Sequence, residues 1–238
     1  MDIKQEIRTR LSLVLLLLCG FSIYYVCLLS ASEAPIIISL GIDCEGAIAT
    51  KDYGLRHEAC PFDQLVTQFN SLYALFENKF DSFLLKENLI LSTHPMNARY
   101  GDPHTVYVVE TKYDILFRHH FEFSDKYLDN YDEIKQMFDR RIARMYELIN
   151  SGHEIYFLRK CMTHQEAQQF VNLLDKQFPS LKYKLIVVNF KDQWQEQWTD
   201  AKIANFYIIP FMGTVDAWWG WWQRSSQWKE IFQHLKLI

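Results

Sequence analysis

The sequence predicts an α/β domain, a three-layer fold with a mainly parallel sheet and flanking helices, preceded by a single N-terminal transmembrane helix. Three observations predict it. β-branched apolar runs alternate with helical apolar stripes, joined by short connections, along most of the chain. A long uncharged run lies near the N-terminus. Apolar residues make up 49% and charged residues 23% of 238 positions, which suits one globular domain with a sizeable core rather than a disordered chain.

The uncharged run is Leu11 to Leu29, 19 residues. As a helix it spans roughly 28 Å, close to a hydrocarbon core. Lys4, Arg8 and Arg10 precede it, and only Glu33 follows before Pro35. Positive-inside reasoning then puts residues 1–10 in the cytoplasm as a tail, makes residues 11–30 a single-pass membrane anchor, and leaves 35–238 as a luminal or extracytoplasmic domain. Ser30-Ala31-Ser32 has the small residues of a cleavage site, so a cleaved signal peptide is the alternative.

Within the domain, Ile36–Leu40 reads as a strand turned by Gly41, and Cys44 to Tyr53 as a helix ended by Gly54. Apolar residues at 62, 65, 66, 69, 72, 73 and 76 form a helical stripe with Asp63 placed to cap it. Glu87–Ser92 reads as a short strand, and Thr105–Glu110 with Tyr113–Phe117 as a hairpin. Asn130-x-x-Glu133 and Thr163-x-x-Glu166 read as capping boxes, opening helices to about Asn150 and Phe178. Between and after them, Glu154–Leu158, Tyr183–Phe190 and Phe206–Ile209 read as strands, and Trp228–Leu237 as a terminal helix.

The formal charge is -4, and no Lys/Arg block follows residue 34, so nucleic acid is not an expected partner. Of 5 cysteines, Cys19 and Cys27 lie in the apolar run, leaving Cys44, Cys60 and Cys161 in the domain. No Cys/His spacing matches a zinc site, and neither metal nor cofactor is expected. A Cys60–Cys161 disulfide would leave Cys44 free.

Cys44 carries the expected chemistry. It follows the first strand by a turn and opens a helix, where free N–H groups and the macrodipole favour a thiolate and a developing oxyanion. A buried structural cysteine is the competing reading. A nucleophilic Cys needs a base. His119 and His120 are adjacent on an extended segment, so at most one faces Cys44. Arg56, Asp63 and Arg159 are the remaining polar candidates. Arg159 ends a strand on the presumed site edge, where a guanidinium binds carboxylate or phosphate.

These residues also resemble a known family, the putative papain-like cysteine peptidases, a domain of unknown function found in bacteria and in some eukaryotes and viruses. The likeness rests on Ser39-Leu40-Gly41-x-x-Cys44, Gly54-Leu55-Arg56 and Pro61-Phe62-Asp63, with His119 after an extended segment and the Arg140-Arg141 helix beyond. It implies a Cys44 nucleophile with His119 as its base. Two positions depart from the pattern: His120 stands where the family has Asp, and Gln64 where it tends to have Trp.

Trp218, Trp219, Trp221 and Trp222 crowd around Gly220. Trp218 and Trp221 are candidate substrate-binding residues, as a platform for sugars. The expected function is thus a membrane-anchored cysteine hydrolase, peptidase or acyl transferase. The alternatives are a luminal glycan-related transferase or binding module, and a non-catalytic scaffold. Peptide, acyl and glycan substrates all stay open.

Overall fold

The structure is a computed structural model and describes residues 35–92, 105–122, 128–191, 196–209 and 217–238, with side chains in the last range described from 225 on. The expected anchor, Leu11–Leu29, and the Trp218 and Trp221 side chains lie outside the described residues. Among the described residues no helix is long and apolar enough to cross a membrane.

Two sheets form. The first is built from β1 (Ile36–Ser39), β6 (Glu154–Lys160), β7 (Lys182–Phe190) and β8 (Ile203–Ile208), in the order β1-β6-β7-β8. All its pairings are parallel. Its alternating side chains supply two cores. Ile38, Ile155, Phe157, Leu185 and Val187 face one. Ile37, Leu158, Ile186 and Val188 face the other. The second face is covered by α1 (Glu45–Asp52), through Ala49, and by α5 (Ala217–His234), through Trp228, Ile231 and Phe232. The first is covered by α2 (Phe69–Glu77) and α4 (His164–Gln177). A parallel sheet covered on both faces was the expectation.

The second sheet is antiparallel, and the expected hairpin and the expected short strand at Glu87–Ser92 both join it. It comprises β2 (Leu65–Thr67), β3 (Leu89–Leu91), β4 (Thr105–Glu110) and β5 (Ile115–Glu122), in the order β2-β5-β4-β3. α3 (Tyr131–Ile149) packs on β5, with Phe138 against Phe117 at 5.3 Å, edge to face. The stripe read as one helix from residue 62 is a correction. Leu65–Thr67 pairs with Phe117–Ile115 as β2, and the helix starts only at Phe69, with Gln68 as its cap. The apolar spacing fitted both readings; cross-strand pairing with β5 decided between them.

Two further local expectations separate. Thr163 and Glu166 form the capping box, with Glu166 N donating to Thr163 Oγ1 at 3.2 Å and Thr163 N to Glu166 Oε2 at 2.8 Å. Asn130 caps nothing with its side chain. Its Nδ2 donates instead to the His120 carbonyl at 2.9 Å, tying the start of α3 to β5. Cys60 and Cys161 are both free thiols, so the possible disulfide does not form.

Candidate active site at the carboxyl edge of the parallel sheet

β1 leaves the sheet through two left-handed residues, Gly41 at φ 79° and Ile42 at φ 74°. Only glycine fits at 41, because a Cβ there would stand 2.6 Å from Thr67 Oγ1. Ile42 is β-branched and strained, at a cost of roughly 1–3 kcal/mol. Its N–H donates to Thr67 Oγ1 at 3.2 Å. The turn delivers Cys44 to the N-cap of α1, half-buried and making no side-chain cap hydrogen bond. The helical ladder begins with Ile48 N donating to Cys44 O, so the N–H groups of Gly46 and Ala47 have no partner within the helix.

Burial and then the adjacent Asp43 carboxylate push the Cys44 thiol above its ordinary range, while Lys160 pulls it back. The resting group is therefore a thiol, and a base must take its proton. Lys160 ends β6, buried at 3% exposure. Its Nζ donates to Asp43 Oδ2 at 2.7 Å and to Glu45 Oε2. Burial would lower the Lys160 ammonium, but the two carboxylates outweigh it and the net direction is up. Glu45 Oε1 in turn accepts from the Trp228 indole at 3.1 Å.

Arg159, one residue earlier, points to the opposite face, as a strand requires. Its side chain is buried and donates to the Leu40 carbonyl at 2.6 Å, to Thr67 Oγ1 at 2.9 Å and to the Thr67 carbonyl at 2.8 Å. It ties the two sheets together beneath the Cys44 turn.

The second half of the motif gathers elsewhere. Arg56 pairs with Asp63 at 2.6 Å, and Asp63 Oδ2 also accepts from Cys60 N at 2.9 Å. Asp63 thus closes a turn and does not cap a helix. The charged groups acting on Cys60 are Asp63, Arg144, Arg56 and Arg141. Those acting on Cys44 are Asp43, Lys160 and Glu45, and the two sets share no member. Cys60 shares a small cavity with Ile36 and Ile37, toward the amino end of β1, whereas Cys44 follows its carboxyl end.

β5 bulges where the two histidines sit. Val106 aligns with Phe121 and Val108 with Phe117, so Arg118, His119 and His120 face Tyr107 alone. His119 is exposed and His120 buried. The His120 ring lies 5.6 Å from Phe117 and 5.1 Å from Phe138, and neither ring nitrogen has a hydrogen-bond partner. Burial, then Arg141, push its pKa down to about 3.

A cavity of about 330 Å³ opens beyond the carboxyl ends of β6, β7 and β8, where α/β sheets collect their ligands. Its wall includes Cys161, His164, Asn189, Trp198 and Tyr207. His164 stacks on Trp198 at 4.8 Å. Asn189 is spent on Met162, accepting from its N–H at 3.0 Å and donating to its carbonyl at 2.9 Å. Cys161 shares Lys160, Asp43 and Glu45 with Cys44 as charged neighbours, so the cavity adjoins the same cluster. Among the described residues no group of three His, Cys, Asp or Glu side chains could hold a metal ion.

Reading from sequence missed Lys160, although strand alternation from Leu158 places it on the α1 face. It also gave no sign of the structural role of Thr67 at the Cys44 turn.

A profile of the family described as putative papain-like cysteine peptidase matches residues 36–193. Uncharacterized protein R408 of Acanthamoeba polyphaga mimivirus is 26% identical over 219 residues, covering 84% of this chain and 98% of that protein. No solved structure gives a significant match.

Proposed function

The chain belongs to the putative papain-like cysteine peptidase family, and from that premise we propose a cysteine-dependent acyl-transfer enzyme, a hydrolase or transferase, with Cys44 as nucleophile. The observation that carries this reading is the strained strand–turn–helix that presents a half-buried thiol at the mouth of α1. Strained strand-to-helix turns serve other nucleophiles in the same way. The Cys44 sulfur attacks an acyl carbonyl while a base takes the thiol proton. N–H groups of the first helical turn, Gly46 and Ala47 among them, stabilise the oxyanion. The C–N or C–O bond then breaks, the base returns the proton to the leaving group, and water or another acceptor releases the thioester.

We assign the base to His119 because the family resemblance implies it and it is the exposed member of the pair. On β5 the pair lies by Arg141 and Phe138 and is not among the charged groups that act on Cys44. Asp63 and Arg56 support the turn that leads into β2, rather than the chemistry. An electrophilic peptidyl acyloxymethyl ketone tests the assignment, with the modified residue read by mass spectrometry. Cys44 takes the label in the natural protein, Cys44→Ala takes none, and His119→Ala slows labelling more than about tenfold. Labelling that persists in Cys44→Ala, or that falls on Cys161, sinks the reading.

We also propose that Leu11–Leu29 anchors the domain to a membrane, supported by its 19 uncharged residues. Full-length protein should stay in the membrane pellet through alkaline carbonate extraction; release into the supernatant would refute the anchor.

A further inference from the structure

Lys160 is a buried cation with a place in the fold but no part in the chemistry described so far. We propose that Lys160 is a positioning residue for Cys44. Its ammonium stabilises the sulfur's negative charge as it forms, while Asp43 and Glu45 hold that ammonium in place and compete for it. The inference rests on Cys44 being the nucleophile and adds what controls its reactivity.

Three observations support it. First, the ammonium is held from several sides: Nζ meets Asp43 and Glu45 and lies 5.5 Å from the Phe190 ring centroid. Second, the anchoring reaches α5, because Glu45 also accepts from the buried Trp228 indole. A charge fixed on a central strand, between the carboxylates of the residues on either side of Cys44, needs little reorganisation when a thiolate forms at that turn. Third, the cluster has an internal asymmetry. The Glu45 side chain is 9% exposed, whereas that of Asp43 is 39% exposed. Asp43 is thus the partner that can loosen toward water, leaving Lys160 less neutralised.

The charged groups that act on the thiol are Asp43 from the turn, Glu45 from α1 and Lys160 from β6, whose ammonium bridges the two carboxylates flanking Cys44 in sequence. The Cys161 thiol at the end of β6 is acted on by the same three charges and also by Arg159, whose own hydrogen bonds go to Leu40 and Thr67 on the opposite face. From α5 the cluster receives the uncharged Trp228 N–H.

An electrostatic role makes two substitutions act in opposite directions. The test is iodoacetamide alkylation of the full-length protein across pH 6 to 10, roughly spanning a thiol's titration. The Cys44 peptide is followed by mass spectrometry so that other cysteines do not confuse the signal. Lys160→Met should raise the midpoint and slow Cys44 alkylation at pH 7 about tenfold, the equivalent of one pKa unit. Asp43→Asn keeps an Oδ1 that can accept from Glu45 N (2.9 Å in the natural protein), yet removes a charge. It should lower the midpoint and speed alkylation about threefold or more. Lys160→Arg, which keeps the charge, should stay within about threefold of the natural protein.

Changes of the same direction in Lys160→Met and Asp43→Asn would mean a merely loosened turn and would overturn the inference, as would an unmoved midpoint in Lys160→Met. If Lys160→Met does not fold, the direction of Asp43→Asn decides alone: faster supports, unchanged or slower refutes. Labelling is read without turnover, so an unmoved midpoint rejects Lys160 and leaves the nucleophile standing. Persistent acyloxymethyl ketone labelling in Cys44→Ala rejects the nucleophile itself.

Discussion

The two halves of the family motif build two polar clusters of opposite character. Around Cys44, one ammonium meets two carboxylates, and both Lys160 contacts are made. Around Cys60, three arginines meet two carboxylates: Asp63 pairs with Arg56 and the more exposed Glu58 with Arg144, leaving an excess of positive charge. In that second cluster Asp63 Oδ1 and Arg141 Nη1 have no hydrogen-bond partner, and both His120 nitrogens are likewise unpartnered nearby. The first cluster adjoins a cavity through Cys161, while the second holds a turn under α3. Two groups of charge close in sequence thus do different work. One is placed to tune a thiol, and the other stabilises the fold at the cost of desolvating an aspartate. Burial pushes the Asp63 carboxyl up, against the Cys60 N–H and Arg56, which pull it down.

The comparison can be broken or sharpened in steps of decreasing size. Asp63→Ala removes the buried carboxylate from the arginine cluster and leaves Arg56 and the Cys60 N–H without it. We expect a loss of roughly 3–5 kcal/mol in denaturant unfolding. A loss below about 1 kcal/mol would make the second cluster a surface feature.

Arg159→Met should cost somewhat less, roughly 2–3 kcal/mol by the same measurement, because the carbonyls of Leu40 and Thr67 lose a buried cationic donor. It should also relax the strained Ile42 turn, read as increased amide exchange at Ile42.

His120 gives a pH dependence. Its folded pKa, about 3, lies below an unfolded value near 6.5, so the folded state binds fewer protons. The associated stability is fully present above about pH 6.5 and is lost as pH falls toward 3. Between pH 7 and pH 5 the loss should be roughly 2 kcal/mol. His120→Phe should flatten that part of the profile in thermal melts, and an unchanged slope would remove His120 from the core account.

The smallest effect is expected at the first cluster. Asp43 is 39% exposed, so solvent screening discounts its ion pair, and Asp43→Asn should change stability by less than about 1 kcal/mol. The same substitution should alter Cys44 alkylation. A large stability loss there would erase the distinction between a tuning cluster and a structural one.

The sequence by itself determined the parts that depend on near neighbours. The β1 strand, the glycine turn and the Cys44 helix follow from residues a few positions apart. So do the Thr163–Glu166 box and the alternation of β6, α4 and β7. Tertiary structure decided the rest. Leu65–Thr67 became a strand because β5 offered hydrogen bonds that a helix there would forgo. Asn130 left its expected box to bond the His120 carbonyl. The bulge in β5, and not the strand period, sent His119 outward and His120 into the aromatic core. Arg159 and Lys160, adjacent and alike in charge, took opposite faces and unlike tasks. One meets Thr67 across 92 positions, and the other meets Glu45 across 115. Ion pairs and strand pairings over such separations depend on how the sheets stack, and periodicity and capping rules carry no information about that.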